Sequence, residues 1–164
     1  MKKITYLVFA FSMLIFISEC VGYKPIFSSR NLQFNIADYS IKGNKIIGKK
    51  IYSKLYGLSK SVKNDQNITS IKLLIDASKN KEVTVKDKVG KILEYRITIK
   101  IKIKTTDFIT DERILNQTFI SSLTYKVQDQ HSDTVKLENK SVENLTNKIF
   151  QEILIKLSQT ITTK

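Results

Sequence analysis

One cysteine (Cys20), one histidine (His131), one proline (Pro25) and no tryptophan occur in this chain of 164 residues. A lone cysteine excludes an internal disulfide, which needs two. With a lone histidine beside it, a zinc site has almost nothing to use. Cys20 lies so close to the N-terminus that a Cys/His nucleophilic pair is not expected either. His131 falls in the polar stretch DQHSD and reads as a solvated loop residue. The five glycines are scattered, so no phosphate-cradling loop can be drawn. Four N-x-S/T triplets, at Asn67, Asn116, Asn139 and Asn144, are what chance gives in so Asn-rich a chain. The expectation is a protein that is not an enzyme and carries no metal and no cofactor. So little proline and glycine also leaves small room for long disordered linkers.

Positive charge is abundant: 28 Lys+Arg stand against 15 Asp+Glu, a net charge of +13. Part of this follows from a composition rich in Lys, Ile and Asn, as an AT-rich genome would give. The remainder favours polyanions such as nucleic acid, anionic lipid headgroups or a phosphorylated glycolipid. Hydrophobic content of 41% and charged content of 26% lie in the globular range.

The N-terminus narrows the choice. Lys2 and Lys3 precede an almost unbroken apolar run, Ile4–Ile17, which ends just before Cys20. A basic start and a short apolar run are the form of a secretory signal. The run is shorter than the ~20 residues a spanning helix needs. A cysteine at the export junction converts "secreted" into "lipid-anchored", because its thiol can take a diacylglycerol before cleavage in front of it. Ile17 and Ser18 suit that processing; Glu19 is unusual directly before the cysteine. We therefore expect a signal over 1–19, a lipidated tether over 20–31 and one domain over 32–164. Export argues against nucleic acid as partner and leaves the lipid options.

Within the domain, Leu32–Tyr39 alternates, with Leu32, Phe34, Ile36 and Asp38 on one face. Gly43–Leu58 carries Ile46, Ile47, Ile51, Leu55 and Leu58 at helical spacing, with Gly57 near its stop. Ile68–Lys79 is a second strand, with Ile71, Leu73, Ile75 and Ala77 on one face. Lys79–Gly90 reads as charged and turn-like, with Val83 and Val85 extending a hairpin arm. Arg96–Lys104 (RITIKIKIK) alternates strictly, with Ile97, Ile99, Ile101 and Ile103 opposite Arg96, Thr98, Lys100, Lys102 and Lys104. A β-branched residue at period two makes this a half-buried strand. A turn over Asp107–Arg113 leads to a strand over Leu115–Gln128. In it Phe119, Ser121, Leu123, Tyr125 and Val127 oppose Ile120, Ser122, Thr124 and Lys126. Lys140–Thr160 is an amphipathic helix through Val142, Leu145, Ile149, Ile153 and Leu157, with Ser141 at its N-cap.

The order β-α-β-β-β-α points to an α+β, two-layer sandwich. Two helices cover one face of a four-stranded, mostly antiparallel sheet. The other face presents Arg96, Lys100, Lys102, Lys104 and Lys126. Alternate residues on a strand lie ~6.6 Å apart, so Arg96 to Lys104 spans roughly 26 Å. Such a row can meet several phosphates, and Arg binds phosphate bidentately. These five residues are the candidate site for an anionic glycolipid.

Several segments resemble the LPS-assembly lipoprotein family (LptE), in its alphaproteobacterial-type branch. They are Cys20 followed by Gly22-Tyr23-Lys24-Pro25, Glu94-Tyr95-Arg96-Ile97-Thr98, Ser122-Leu123-Thr124-Tyr125-Lys126-Val127, and the closing helix with Asn144-Leu145, Ile149, Ile153 and Leu157. Glu19 and the inserted Val21 depart from the family's pattern. The resemblance implies a periplasm-facing lipoprotein of the outer membrane. It would plug and scaffold an LptD-type β-barrel and assist insertion of lipopolysaccharide into the outer leaflet. Lipopolysaccharide is then the expected ligand of the basic face. The alternatives are an accessory or carrier lipoprotein of another envelope lipid-transport system and, more remotely, an exported hydrolase with an unrecognised site.

Overall fold

The computed structural model describes residues 34–60 and 68–162. The signal segment, Cys20, the tether and Leu32 lie outside them. The order is β1 (Phe34–Gly43), α1 (Lys45–Lys60), β2 (Thr69–Lys86), β3 (Ile92–Asp107), β4 (Arg113–Lys126) and α2 (His131–Thr162). The sheet runs β1-β2-β3-β4. β1 and β2 are parallel, joined by the crossover helix α1, while β2, β3 and β4 form an antiparallel meander. This is the expected α+β sandwich, with both helices over the same face.

The core lies where the alternation of β3 puts it. Ile97, Ile99, Ile101 and Ile103 have no exposed surface, as do Ile71 and Ile75 of β2. They pack under Ile47, Ile51 and Leu55 of α1 and Leu145, Ile149, Ile153 and Leu157 of α2. Each such side chain stabilises the fold by about 1.5–3 kcal/mol relative to exposure.

α1 starts where Asn44 Oδ1 accepts a hydrogen bond from the Ile47 amide at 3.1 Å, an N-cap. Just before it, Gly43 turns the chain out of β1 at φ 70°, and a Cβ there would strike the Ala77 carbonyl oxygen. Only glycine enters this turn without strain. Gly57 does not end α1, which continues to Lys60. A glycine two turns past the buried Ile51 costs too little to break a helix already anchored on the sheet.

Three boundaries and one face assignment differ from the sequence expectation. α2 begins at His131, not Lys140, so His131 opens a helix rather than sitting in a loop, and Ser141 is a buried interior residue instead of an N-cap. The extra turns are mostly polar: Glu138 with Lys79 and Lys81, the buried Thr134 and the partly buried Leu137 hold them to the sheet, which leaves little apolar periodicity to read. β2 and β3 extend past Lys79 and before Arg96 into a long two-stranded arm, with Lys86 opposite Ile92. Pairing between backbones sustains that arm where its side chains lack a clear apolar face. Asp38 lies on the opposite face from Phe34 and Ile36. A bulge between Ile36 and Asp38 leaves Ala37 unpaired, so Asp38 meets Lys72 while Tyr39 meets Leu73. One extra residue inverts the parity of all that follows.

Candidate functional site

β3 delivers its basic side chains to the helix-free face as a direct result of burying its isoleucines on the other. Arg96, Lys100, Lys102 and Lys104 are exposed there, and Lys126, the last residue of β4, joins them. All five sequence candidates thus share one surface. Lys42 and Lys72 continue it toward β1, opposite Asp76 and Asp38.

The neighbouring strands temper this charge. Arg96 sits across from Glu82 and donates from Nη1 to its Oε1 at 3.4 Å, with both side chains about half exposed. Lys102 stands opposite Asp76, and Lys126 opposite Glu94. Lys100 and Lys104 instead face Ser78 and Leu74 on β2, and Ile120 and Asn116 on β4. The face is a mosaic of cations among Ser, Thr and Asn, with Leu74 and Ile120 as small apolar islands. An exposed Arg–Glu pair of this geometry is a weak interaction that a stronger anion displaces readily.

The β2–β3 arm ends in a tip at the edge of this face. Asp87 Oδ1 accepts hydrogen bonds from the Val89 and Lys91 amides at 2.9 and 2.8 Å, and Gly90 turns at φ 86°. That hydrogen-bonded turn holds Val89 88% exposed among Lys86, Lys88 and Lys91, with Val85 and Leu93 also exposed behind it. Apolar tips ringed by lysine suit an amphiphile with an anionic head.

A second cluster, on the helix side, is absent from the sequence reading. Beyond Ala77, the inward positions of β2 are Lys79 and Lys81, and both reach Glu138 of α2. Lys79 Nζ donates to Oε1 at 2.9 Å and Lys81 Nζ to Oε2 at 2.6 Å. The Tyr125 hydroxyl donates to the same Oε2 at 3.1 Å. Lys81 also lies over the Tyr95 ring, 4.1 Å from its centroid, and Tyr95 stacks beside its cross-strand partner Tyr125. The Lys81 hydrogen bond, helped by Lys79 and Tyr125, pulls the Glu138 carboxyl from 4.5 to about 2. In return Lys81 is raised, chiefly by Glu138, and burial raises Tyr125. The signal was in the sequence: carrying the β2 alternation past Ala77 puts two lysines on the buried parity, which demands a partner. An open cleft of about 370 Å³ adjoins the cluster, lined by Lys81, Lys91, Tyr95, Gln128, His131 and Glu138 among others. Among the described residues no group of three His, Cys, Asp or Glu is placed to hold a metal ion. None of their helices is long and apolar enough to cross a membrane.

No family model and no curated protein sequence matches the chain. Solved structures do. The fold is similar to that of the uncharacterised lipoprotein B of Nitrosomonas europaea, with TM-score 0.58 and 14% identity over 82% of this chain and 88% of that one. It is also similar to a minor lipoprotein of Acinetobacter baumannii, with TM-score 0.56 and 11% identity over 78% of this chain and 92% of that one. At such identities what is shared is the fold.

Proposed function

We propose that the protein is a lipid-anchored lipoprotein of the outer membrane that acts in lipopolysaccharide assembly. In this reading it plugs and scaffolds an LptD-type β-barrel and offers its helix-free sheet face to lipopolysaccharide. The observation that carries the reading is that face: five sequence-selected cations on one polar surface that none of the described helices covers. Two lipoproteins share the fold, and the N-terminal segment has the form of a lipoprotein signal. A polar sheet face left bare by its own helices fits a polar barrel lumen, where Ser, Thr and Asn side chains find partners. Lys86, Lys88 and Lys91 around Val89 extend the anionic contact to the arm's tip.

The role is non-catalytic in this account. A carrier of whole lipid molecules would need an apolar cavity for acyl chains. Between sheet and helices the described residues place instead a contiguous layer of buried Ile, Leu and Phe side chains. That packing favours a plug over a carrier in another envelope pathway.

The test has two arms. Affinity purification of the tagged full-length chain should recover a barrel of the LptD type. Joint replacement Arg96→Gln, Lys100→Gln and Lys102→Gln should weaken lipopolysaccharide binding by about tenfold or more, the scale of losing several charge-assisted contacts. Recovery of the well-expressed protein without such a barrel sinks the plug. Unchanged lipopolysaccharide affinity in the triple variant reduces the row to a solubility device.

A further inference from the structure

The two helices differ in how they carry charge. α2 mixes Asp133, Glu138, Glu143 and Glu152 with its lysines, whereas α1 holds Lys45, Lys49, Lys50, Lys54 and Lys60 and no acidic residue. Lys45 and Lys49, and Lys50 and Lys54, stand four apart, where like charges repel. Lys45 in the first turn also opposes the helix dipole. A helix surface serving solubility alone would gain by mixing signs, as α2 does.

These lysines border a groove between α1 and α2. It consists of two adjoining clefts of about 510 and 390 Å³, which share Lys50 and Glu143. Lys49, Lys54, Lys79, Lys136 and Lys140 complete the cationic lining, and Glu143 is the one carboxylate in it. Lys79 and Lys136 are engaged by Glu138 and Asp133. Among the described residues Lys49, Lys50, Lys54 and Lys140 have no ion-pair partner; Lys54 only donates to Asn147 Oδ1 at 2.8 Å and lies over the Phe150 ring.

We propose that this interhelical groove is a docking surface for an acidic, extended segment of a protein partner. The groove follows α1 from Asn44 to Lys54, ~15 Å at the helical rise. That length matches about five residues of extended chain at ~3.3 Å each. The charge is spread along it and consists of lysine alone, without the arginine fork that grips one compact phosphate. Ser53, Asn139 and Asn147 supply donors and acceptors for a peptide main chain. Glu143 discriminates between ligand classes. A phosphodiester has only acceptors to offer beside this carboxylate, whereas a peptide main chain brings N–H donors that it can accept even where the acidic side chains turn to the lysines. Ile46, 73% exposed at one end, gives an apolar seat for one side chain of the segment.

The test uses the full-length chain in neutral detergent and a dye-labelled peptide of alternating Asp and Ala with one central Leu, read by anisotropy. The peptide should bind, and Lys50→Gln, Lys54→Gln and Lys140→Gln together should weaken it by about tenfold, as removal of facing charges does. The same three positions changed to Arg should keep affinity within about twofold, since charge is retained. The sheet-face variant Arg96→Gln, Lys100→Gln, Lys102→Gln should leave the peptide unaffected. Equal loss in the groove and sheet-face variants would reduce the binding to net charge and overturn the proposal. So would binding of pyrophosphate or phosphatidylglycerol vesicles at the groove with no binding of the peptide. The two surfaces are probed by separate variants and separate ligands. Failure here therefore leaves the lipopolysaccharide reading standing, and the reverse.

Discussion

Glu138 ties together three elements with one carboxylate, and its titration should be visible in the stability of the whole protein. Above about pH 4.5 it is ionised in folded and unfolded chains alike, and its bonds to Lys79, Lys81 and Tyr125 contribute in full. As pH falls from 4.5 toward about 2, the unfolded chain takes up a proton that the folded chain refuses, so stability declines. Lys81 works at the other end: its raised pKa keeps its share of stability through neutral pH, and that share is lost only as pH rises through the raised value above 10.5. Glu138→Gln should cost about 1–3 kcal/mol at neutral pH, the range for losing hydrogen bonds to a charged group. Urea titrations at pH 7 and at about pH 3 check this, with the gap between parent and variant expected to narrow at the lower pH. An unchanged gap at both pH values would mean that packing, not the ion pairs, sets the cost.

At the scale of elements, legibility followed the apolar pattern. β3 could be read because every second residue from Ile97 to Ile103 is the same β-branched type and every one is buried. The first turns of α2 could not, because much of their hold on the sheet is Glu138 with its lysines and the buried Thr134, which periodicity counts as surface, and Leu137 alone makes no apolar stripe. The arm beyond Ala77 was half visible through Val83 and Val85, while its backbone pairing leaves no mark on composition. β1 misled for another reason. Its bulge hides one residue within an alternating run, so Asp38, assigned by counting to the face of Phe34 and Ile36, lies on the other. This yields a sharp expectation. Deleting Ala37 removes the unpaired residue and still leaves Asp38 outward and Tyr39 inward, so it should cost about 1 kcal/mol or less. Deleting Ser40 turns Ile41 away from the helix and should cost over about 2 kcal/mol, as loss of a packed side chain does. Thermal melts of the two deletions separate these outcomes, and similar losses in both would show that the bulge itself matters.

Across the whole molecule, the sequence placed the five cations of the candidate site on one face. It could not place Glu82, Asp76 and Glu94 among them, since that needs the register between strands. The interhelical groove was equally hidden, because nothing local says that Lys50 of α1 and Lys140 of α2 line one surface. Tethering completes the picture. With Cys20 acylated, the domain would be held at the membrane by its mature N-terminus. Mass spectrometry of the purified protein should find an acylated Cys20 as the first residue, and Cys20→Ser should release the chain from the membrane fraction. An unmodified thiol behind an intact leader would end the anchor hypothesis.

The one-sided sheet has a consequence for how such a protein can change over generations. Among the described residues the apolar core lies between β-sheet and helices, and exposed substitutions away from that layer shift stability by only about ±0.5 kcal/mol. The face that no described helix covers can therefore drift without endangering the fold. Distant relatives with the same architecture need share little on that side. The sheet-face glutamine variants should accordingly melt with the parent, so that any loss of binding they show is a loss of recognition.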